Sequence, residues 1–433
     1  MFRNAKRETF WAVADQGIFA ISNLAISLLL ARGLSPSEYG IFVLAYSSFW
    51  LFGTVHGAFF LQPLIVLGNG KFRDRFPAYI AALLKAHWKM SLFGNLLLVT
   101  MGLLCWLLKE QGIALLFWSL SISGPLILFQ EIMRRAAYVL KSPQLASYAG
   151  AAYLIIVVIG AITLLNKGVL TVASSLGLLG FGSLVSGIGL MIRLGIGKAR
   201  SEQSLSPDFI LRTHWAFGKW NIGASIGSWT LANIYYFILS LEHGLEETAA
   251  LKALLLIFMP VIHTIVAIPR VLTGTLVRDK EIINSNQVVW VALLTLITGS
   301  ALYSCLVGYY RYPIVNWLFN GQFDVYANQL WLIGIIPSLI AVSSVLGAVL
   351  QAWERPDIQF HALLRSVLLS LPLGLVLTMY WGITGAIGSM IFSYLLSAGY
   401  LYIRWHKLDG TPKLAVSRIG SSGSWARNGE IGG

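Results

Sequence analysis

Twelve apolar runs, most of them close to the roughly 20 residues a helix needs to cross a bilayer, occupy the chain from end to end with short connections between them. They lie near 10–31, 41–67, 90–108, 112–131, 148–165 and 169–192, and again near 217–240, 248–269, 288–308, 328–350, 362–380 and 384–403. Backbone polar groups in hydrocarbon have no water to bond, so such runs must be helices that satisfy themselves. The expected fold is an all-α integral membrane protein of about twelve transmembrane helices. Composition agrees, since 57% of the 433 residues are hydrophobic and only 11% charged, where a soluble domain carries roughly a quarter. A soluble enzyme is excluded. Cys105 and Cys305 both sit inside apolar runs, which gives no support for a disulfide framework or a metal site.

The basic residues give the chain a direction. Of 31 Lys and Arg, 26 fall in the N-terminal segment, the even-numbered connections and the C-terminal segment, whereas the other connections hold only Arg32, Lys109, Lys167 and Arg311. Lys and Arg accumulate on the cytoplasmic side, so both ends of the chain are expected there, in a multi-pass protein of the cytoplasmic (inner) membrane. The formal net charge of +13 is then an orientation signal, with an attraction to anionic membrane lipids, and makes no case for nucleic acid. The basic start, Met1 to Arg7, runs into an apolar stretch without a small-residue cleavage site, and reads as a retained first span.

Proline positions reveal an internal duplication. Pro63 and Pro269 close the second and eighth spans 206 residues apart, Pro125 and Pro337 sit early in the fourth and tenth 212 apart, and Pro143 and Pro356 follow in basic loops 213 apart. Spans one to six thus map onto spans seven to twelve in the same orientation. The expected domains are an N-terminal six-helix lobe (1–200), a cytoplasmic linker (201–216), a C-terminal six-helix lobe (217–403) and a cytoplasmic, disordered tail (404–433). A cavity between two such lobes is the usual place for a transported substrate.

No nucleophile elbow, HExxH, Walker loop or acidic metal pair is present, so no catalytic residue, cofactor or metal is expected and the chain is not read as an enzyme. What remains are ionisable groups at membrane depth, which are costly and therefore functional candidates. Lys252 lies about one turn inside the eighth span. It either snorkels to the interface or faces an anionic substrate. Asp15 lies a turn inside the first span, where it either complements the helix dipole or serves as a carboxylate for a coupling ion, proton or sodium. His56 and His263 are 207 residues apart, at equivalent places in the second and eighth spans, and are candidates for the substrate cavity; the alternative is hydrogen bonding to a neighbouring helix. Gly70 to Arg75 matches the first half of a G-x-x-x-D-R loop found in major facilitator transporters, with Arg278-Asp279-Lys280 in the equivalent loop.

Between the first two spans, Gly33 suits a helix C-cap, while Ser35, Pro36 and Glu38 suit an N-cap, an N1 proline and a capping-box partner. The same string, Arg32-Gly33-Leu34-Ser35-Pro36-Ser37-Glu38-Tyr39-Gly40-Ile41-Phe42, resembles the R-x-L-x-x-x-E-Y-G-x-F pattern of polysaccharide transporter family flippases, in the multidrug/oligosaccharidyl-lipid/polysaccharide (MOP) exporter superfamily. Gln62-Pro63-Leu64, Leu251-Lys252-Ala253, Lys141-Ser142-Pro143 and Glu354-Arg355-Pro356 extend the resemblance over essentially the whole chain. It implies two six-helix lobes, an alternating-access cavity lined by helices 1, 2, 7 and 8, and export of polyprenyl-diphosphate-linked oligosaccharide for surface polysaccharide, with Lys252 at the family's basic position. Glycosyltransferases and a polysaccharide polymerase are the implied partners. Similar flippases of peptidoglycan precursors carry several arginines in the first two helices, whereas none occurs here inside those spans. The alternatives are a small-molecule or drug exporter, of the multidrug-exporter or major facilitator kind, and an integral-membrane polysaccharide polymerase.

Overall fold

The computed structural model describes residues 2–109, 111–196, 205–278, 286–353 and 355–409. Each of the apolar runs forms helix, the tenth with an interruption, a short helix Leu330–Ile333 and a turn at 334–335 preceding its main helix. The spanning helices are α1 (Phe2–Gly33), α2 (Pro36–Asn69), α3 (Phe76–Leu107), α4 (Gln111–Val139), α5 (Pro143–Asn166), α6 (Val172–Arg193), α7 (Pro207–Glu242), α8 (Leu245–Arg278), α9 (Asn286–Tyr309) and α10 (Ile336–Ala352). A last stretch, Pro356–Asp409, is divided into α11 and α12 at Gly382, whose φ of 52° and ψ of −133° are non-helical. Among the described residues these twelve helices run to and fro between two faces of the molecule, α1 starting at one of them. That face, with the start of α1 and the end of α12, is called proximal; the opposite face, with the α1–α2 and α7–α8 turns, is called distal.

Helix ends follow local chemistry. Ser35 Oγ accepts the Glu38 N–H at 3.3 Å while Glu38 Oε2 accepts the Ser35 N–H at 3.1 Å, with Pro36 at the first helical position. This is the reciprocal cap expected from the sequence. Pro143 and Pro207 likewise open α5 and α7, where a missing N–H costs nothing. The break at Gly382 is held by Glu247, which accepts the Ile383 N–H at 2.7 Å. Between α9 and α10 the aromatic connection forms a short helix, Arg311–Phe319, and a 3₁₀ turn, Asp324–Gln329.

Several boundaries differ from the apolar runs because a helix continues beyond the hydrocarbon. Lys85 and Lys89, read as loop residues, lie on α3. The segment read as a linker is helical from Pro207 onward, with 201–204 outside the described residues. Residues 404–409 of the segment read as a tail complete α12, and 410–433 lie outside the described residues, as do Asp279 and Lys280 of the second-half loop motif.

Three apolar clusters hold the molecule together. One joins both lobes on the distal side, packing Ile26, Leu30, Tyr39 and Val43 against Tyr235, Leu239, Ala250 and Leu254. There α2 and α8 touch closely enough that a Cβ on Gly40 would collide with the Leu245 carbonyl. Gln322 Nε2 adds a bond to the Arg32 carbonyl at 3.2 Å. A second cluster is the core of the first lobe, around Phe60, Leu64, Tyr79, Leu83 and Met133, and it includes Ile210 from α7. The third, around Val289, Val345, Ile358 and Trp405, is the core of the second lobe.

The start of α7 is therefore packed into the first lobe. Lys89 Nζ meets Asp208 Oδ1 at 2.9 Å at the surface, and the pairing holds the Asp208 carboxyl below its ordinary pKa. Deeper in, the fully buried His214 donates from Nδ1 to the Phe59 carbonyl of α2 at 2.9 Å and accepts from the Tyr79 hydroxyl of α3 at Nε2, at 2.8 Å.

Candidate functional site

A cavity of about 580 Å³ lies between the lobes, on the proximal side of the distal seal. Its walls are α1, α2, α7 and α8, each contributing one stripe at helical spacing. On α8 the stripe is Lys252, Leu256, Met259 and His263, and on α1 it is Asn23, Leu24 and Ser27. On α7 it is Asn221, Ser225, Ser228, Trp229 and Asn233; on α2 it is Tyr46, Ser47, Trp50, Thr54 and finally Gln62. Trp229 Nε1 donates to the Ser47 carbonyl at 3.0 Å and so ties the α7 wall to the α2 wall.

The chemistry of this surface is narrow. Serine, threonine, asparagine and glutamine supply hydrogen-bond donors and acceptors, and Tyr46, Trp50 and Trp229 supply flat aromatic faces. Asn23 and Asn233 each spend an amide hydrogen on the carbonyl one turn earlier, at 3.1 and 3.0 Å, which fixes their rotamers. No aspartate or glutamate is among the lining residues, and Lys252 is the one lysine or arginine. Its ammonium stands 5.8 Å from the centroid of the Tyr236 ring. Among the described residues no carboxylate pairs with it.

The absence of a partner is explained by where Asp15 goes. The sequence leaves Lys252 and Asp15 as opposite charges within the spans, but in the structure Asp15 is fully buried on the side of α1 facing α4 and α5. Its Oδ2 accepts from Arg134 Nη2 at 2.8 Å and from the Tyr138 hydroxyl at 2.7 Å. Arg134 also donates to Glu131 at 2.8 Å, and its guanidinium stacks 4.2 Å from the Phe19 ring. With the apolar run ending at 131, the sequence places Arg134 in a basic connection; in the structure α4 continues through it, and its side chain is only 5% exposed.

The four sequence candidates thus separate. Lys252 and His263 share the α8 stripe in the cavity. Asp15 belongs to the buried ion cluster. His56 lies two residues beyond Thr54, about 200° further round the helix, and so faces away from the cavity. Its Nε2 bonds His87 Nδ1 at 3.2 Å, and His87 Nε2 bonds the Pro125 carbonyl at 3.2 Å. The offset that made His56 and His263 equivalent in sequence does not carry over to the way they face. Sequence reasoning passed over the polar stripe of α7, although serines and asparagines at four- and three-residue intervals in an apolar span carry a legible signal.

No protein-family model matches the sequence. No curated protein matches it either. Solved structures share its fold. The lipid II flippase MurJ in an inward closed conformation aligns with a TM-score of 0.74 at 13% identity, over 92% of this chain and 87% of that one. The eukaryotic MATE transporter AtDTX14 aligns at 0.62 and 16% identity, over 95% and 97% of the two chains. A MOP superfamily transporter from Pyrococcus furiosus, noted for the reverse polarity of its binding pocket, aligns at 0.63 and 12%, over 94% and 96%. The chain has the fold of these MOP-superfamily proteins, which are transporters and a flippase rather than enzymes.

Proposed function

We propose that the protein is a flippase that carries a polyprenyl-diphosphate-linked oligosaccharide from the cytoplasmic to the outer leaflet of the inner membrane, for surface polysaccharide assembly. The observation that carries this reading is the unneutralised Lys252 in a cavity whose lining is mostly hydroxyls, amides and aromatic rings, with Leu24, Leu256, Met259 and His263 among them. A diphosphate is an anion that a compact ammonium holds as a point charge. A glycan is dense in hydroxyls, which the Ser, Asn and Gln side chains match, and presents C–H faces to Tyr46, Trp50 and Trp229. His263 lies on the same stripe, one end nearer the proximal face, where it adds a hydrogen-bonding group along the path of the load.

In this reading the proximal face is cytoplasmic, which the distribution of lysine and arginine supports. The state described here is sealed distally, so the load is received from the cytoplasmic leaflet and released when the lobes rock and the Tyr39–Leu245 region parts. Rocking needs a difference in affinity between the two states; a coupled proton or sodium ion would supply it. Glycosyltransferases that build the lipid-linked glycan and a polymerase that consumes it are the implied partners.

The test uses purified protein in liposomes and a fluorescent lipid-diphosphate oligosaccharide whose arrival in the outer leaflet is read by a membrane-impermeant quencher. Lys252→Ala should slow flipping at least tenfold, and Lys252→Arg should retain most of it. Flipping by Lys252→Ala at the parent rate would remove the lysine from the mechanism. A cavity of about 580 Å³ is also the size of a small-molecule site, and MATE multidrug transporters share the fold. Transport of amphiphilic drugs with no flipping of the glycan lipid would decide for that second reading.

A further inference from the structure

The α2 wall of the cavity is not a regular helix. Residues Gly57–Leu61 form a π turn, in which the Gln62 N–H bonds the Gly57 carbonyl instead of that of Ala58. The next residue, Pro63, has no N–H to give to Phe59, the carbonyl four residues back. Two successive carbonyls, of Ala58 and Phe59, therefore lose their helical partners. Both point at α7. The Phe59 carbonyl receives the Nδ1 proton of His214 at 2.9 Å. The Ala58 carbonyl sits against Gly218, where an added Cβ would come within 2.8 Å of it.

The turn changes which side chain reaches the substrate. At about 100° per residue, Tyr46, Ser47, Trp50 and Thr54 all fall within a sector of roughly 100° on one side of α2. Continued as a regular helix, α2 would place Leu61 at about 60° from Tyr46, in the middle of that sector, and Gln62 at about 160°. A π turn holds one extra residue and sets the following chain back by about 100°. Gln62 then takes the bearing Leu61 would have had. The structure agrees, with Gln62 lining the cavity and Leu61 packed against the core of the first lobe.

We propose that His214, held by Tyr79, is a positioning residue that fixes this register, and that the register determines substrate selection by presenting an amide rather than an isobutyl group at the proximal end of the cavity. His214 supplies the donor for the Phe59 carbonyl, which Pro63 leaves without a helical partner, and from α7 it holds that carbonyl in the direction the π turn gives it. The π turn leaves one more carbonyl, that of Ala58, without a helical partner than a regular turn would, so with the tie to α7 removed α2 relaxes toward the register that brings Leu61 round. The inference rests on the cavity being the substrate site, but its test reads register and not transport, so the two can fail separately.

The experiment is cysteine accessibility in a background with Cys105 and Cys305 replaced by alanine. Leu61→Cys and Gln62→Cys are made singly and their labelling by a water-soluble maleimide is timed in intact proteoliposomes. With His214 present, position 62 should react at least tenfold faster than position 61. In His214→Phe the ratio should fall below one, and His214→Asn, whose amide hydrogen can replace the Nδ1 proton, should restore it. An unchanged ratio in His214→Phe, or equal acceleration at both positions as in general loosening, would overturn the proposal. Should His214→Phe not fold, Tyr79→Phe carries the same comparison by removing only the hydroxyl that orients the imidazole. A lowered ratio there supports the register role, and an unchanged one overturns it.

Discussion

Removing Arg134 should cost far more stability than removing either of the acids it holds. Its side chain is 5% exposed and donates to Asp15 and Glu131 at 2.8 Å each. Arg134→Met would leave two carboxylates on α1 and α4 with no cation, and breaking a buried pair from one side costs about 3–5 kcal/mol. Asp15→Asn is a different perturbation. Arg134 keeps Glu131, so the cluster becomes neutral, and the new amide oxygen still accepts from Arg134 and Tyr138. The loss is the charge on those two bonds, about 1–2 kcal/mol. Glu131→Gln should behave similarly, since Arg134 then keeps Asp15. Reversible denaturant titration of the purified protein in mixed micelles gives each difference from midpoint and slope. The reasoning fails if Arg134→Met lies within 1 kcal/mol of the parent, or if Asp15→Asn costs as much as Arg134→Met.

Further outcomes follow from single contacts. Gly40→Val should wedge the distal seal at the Leu245 carbonyl, and a cysteine placed at Tyr39 should then become reactive to an impermeant maleimide from the distal side. Gly382→Ala should destabilise by about 1–3 kcal/mol, because its φ of 52° with ψ of −133° suits glycine alone; thermal unfolding would register it. His214 precedes the span that starts at Asn221, and burial pushes its pKa down to about 4. The unfolded chain, with an ordinary value near 6.5, then takes up the proton first. Stability should fall as pH drops from about 6.5 toward 4, and His214→Gln should flatten that part of the profile.

Much of this architecture was legible in the residues. Spans and the Ser35–Glu38 cap are local, set by apolar length and by side chains three residues apart; Pro63, expected to close the second span, instead lies inside α2, which continues to Asn69 beyond a π turn at Gly57–Leu61. The four cavity helices followed from the family resemblance. What escaped were facings and distant partners. Asp15 and Arg134 are 119 residues apart, so nothing in the sequence pairs them, and an arginine just past an apolar run is indistinguishable from a loop charge. His56 escaped for the opposite reason: its equivalence to His263 is a statement about position along a helix, and a shift of two residues turns a side chain to the other side. Helix ends ran past the apolar runs because lysines such as Lys85 and Lys89 are good helix formers in water.

The packing of α7 bears on the order in which the chain can assemble during synthesis. Six spans end at Arg193, yet the core of the first lobe still lacks Ile210, Tyr79 still lacks its imidazole, and the Phe59 carbonyl is still unpaired. The first lobe can therefore close only after the ribosome has passed His214 and the seventh helix has begun to form. A fragment cut between the lobes at the apparent linker would strand those groups, and a split that leaves α7 with the first half would expose the other side of the cavity instead. The seventh helix thus belongs to both halves, its first turns completing the core of the first lobe and its later turns forming a wall of the cavity.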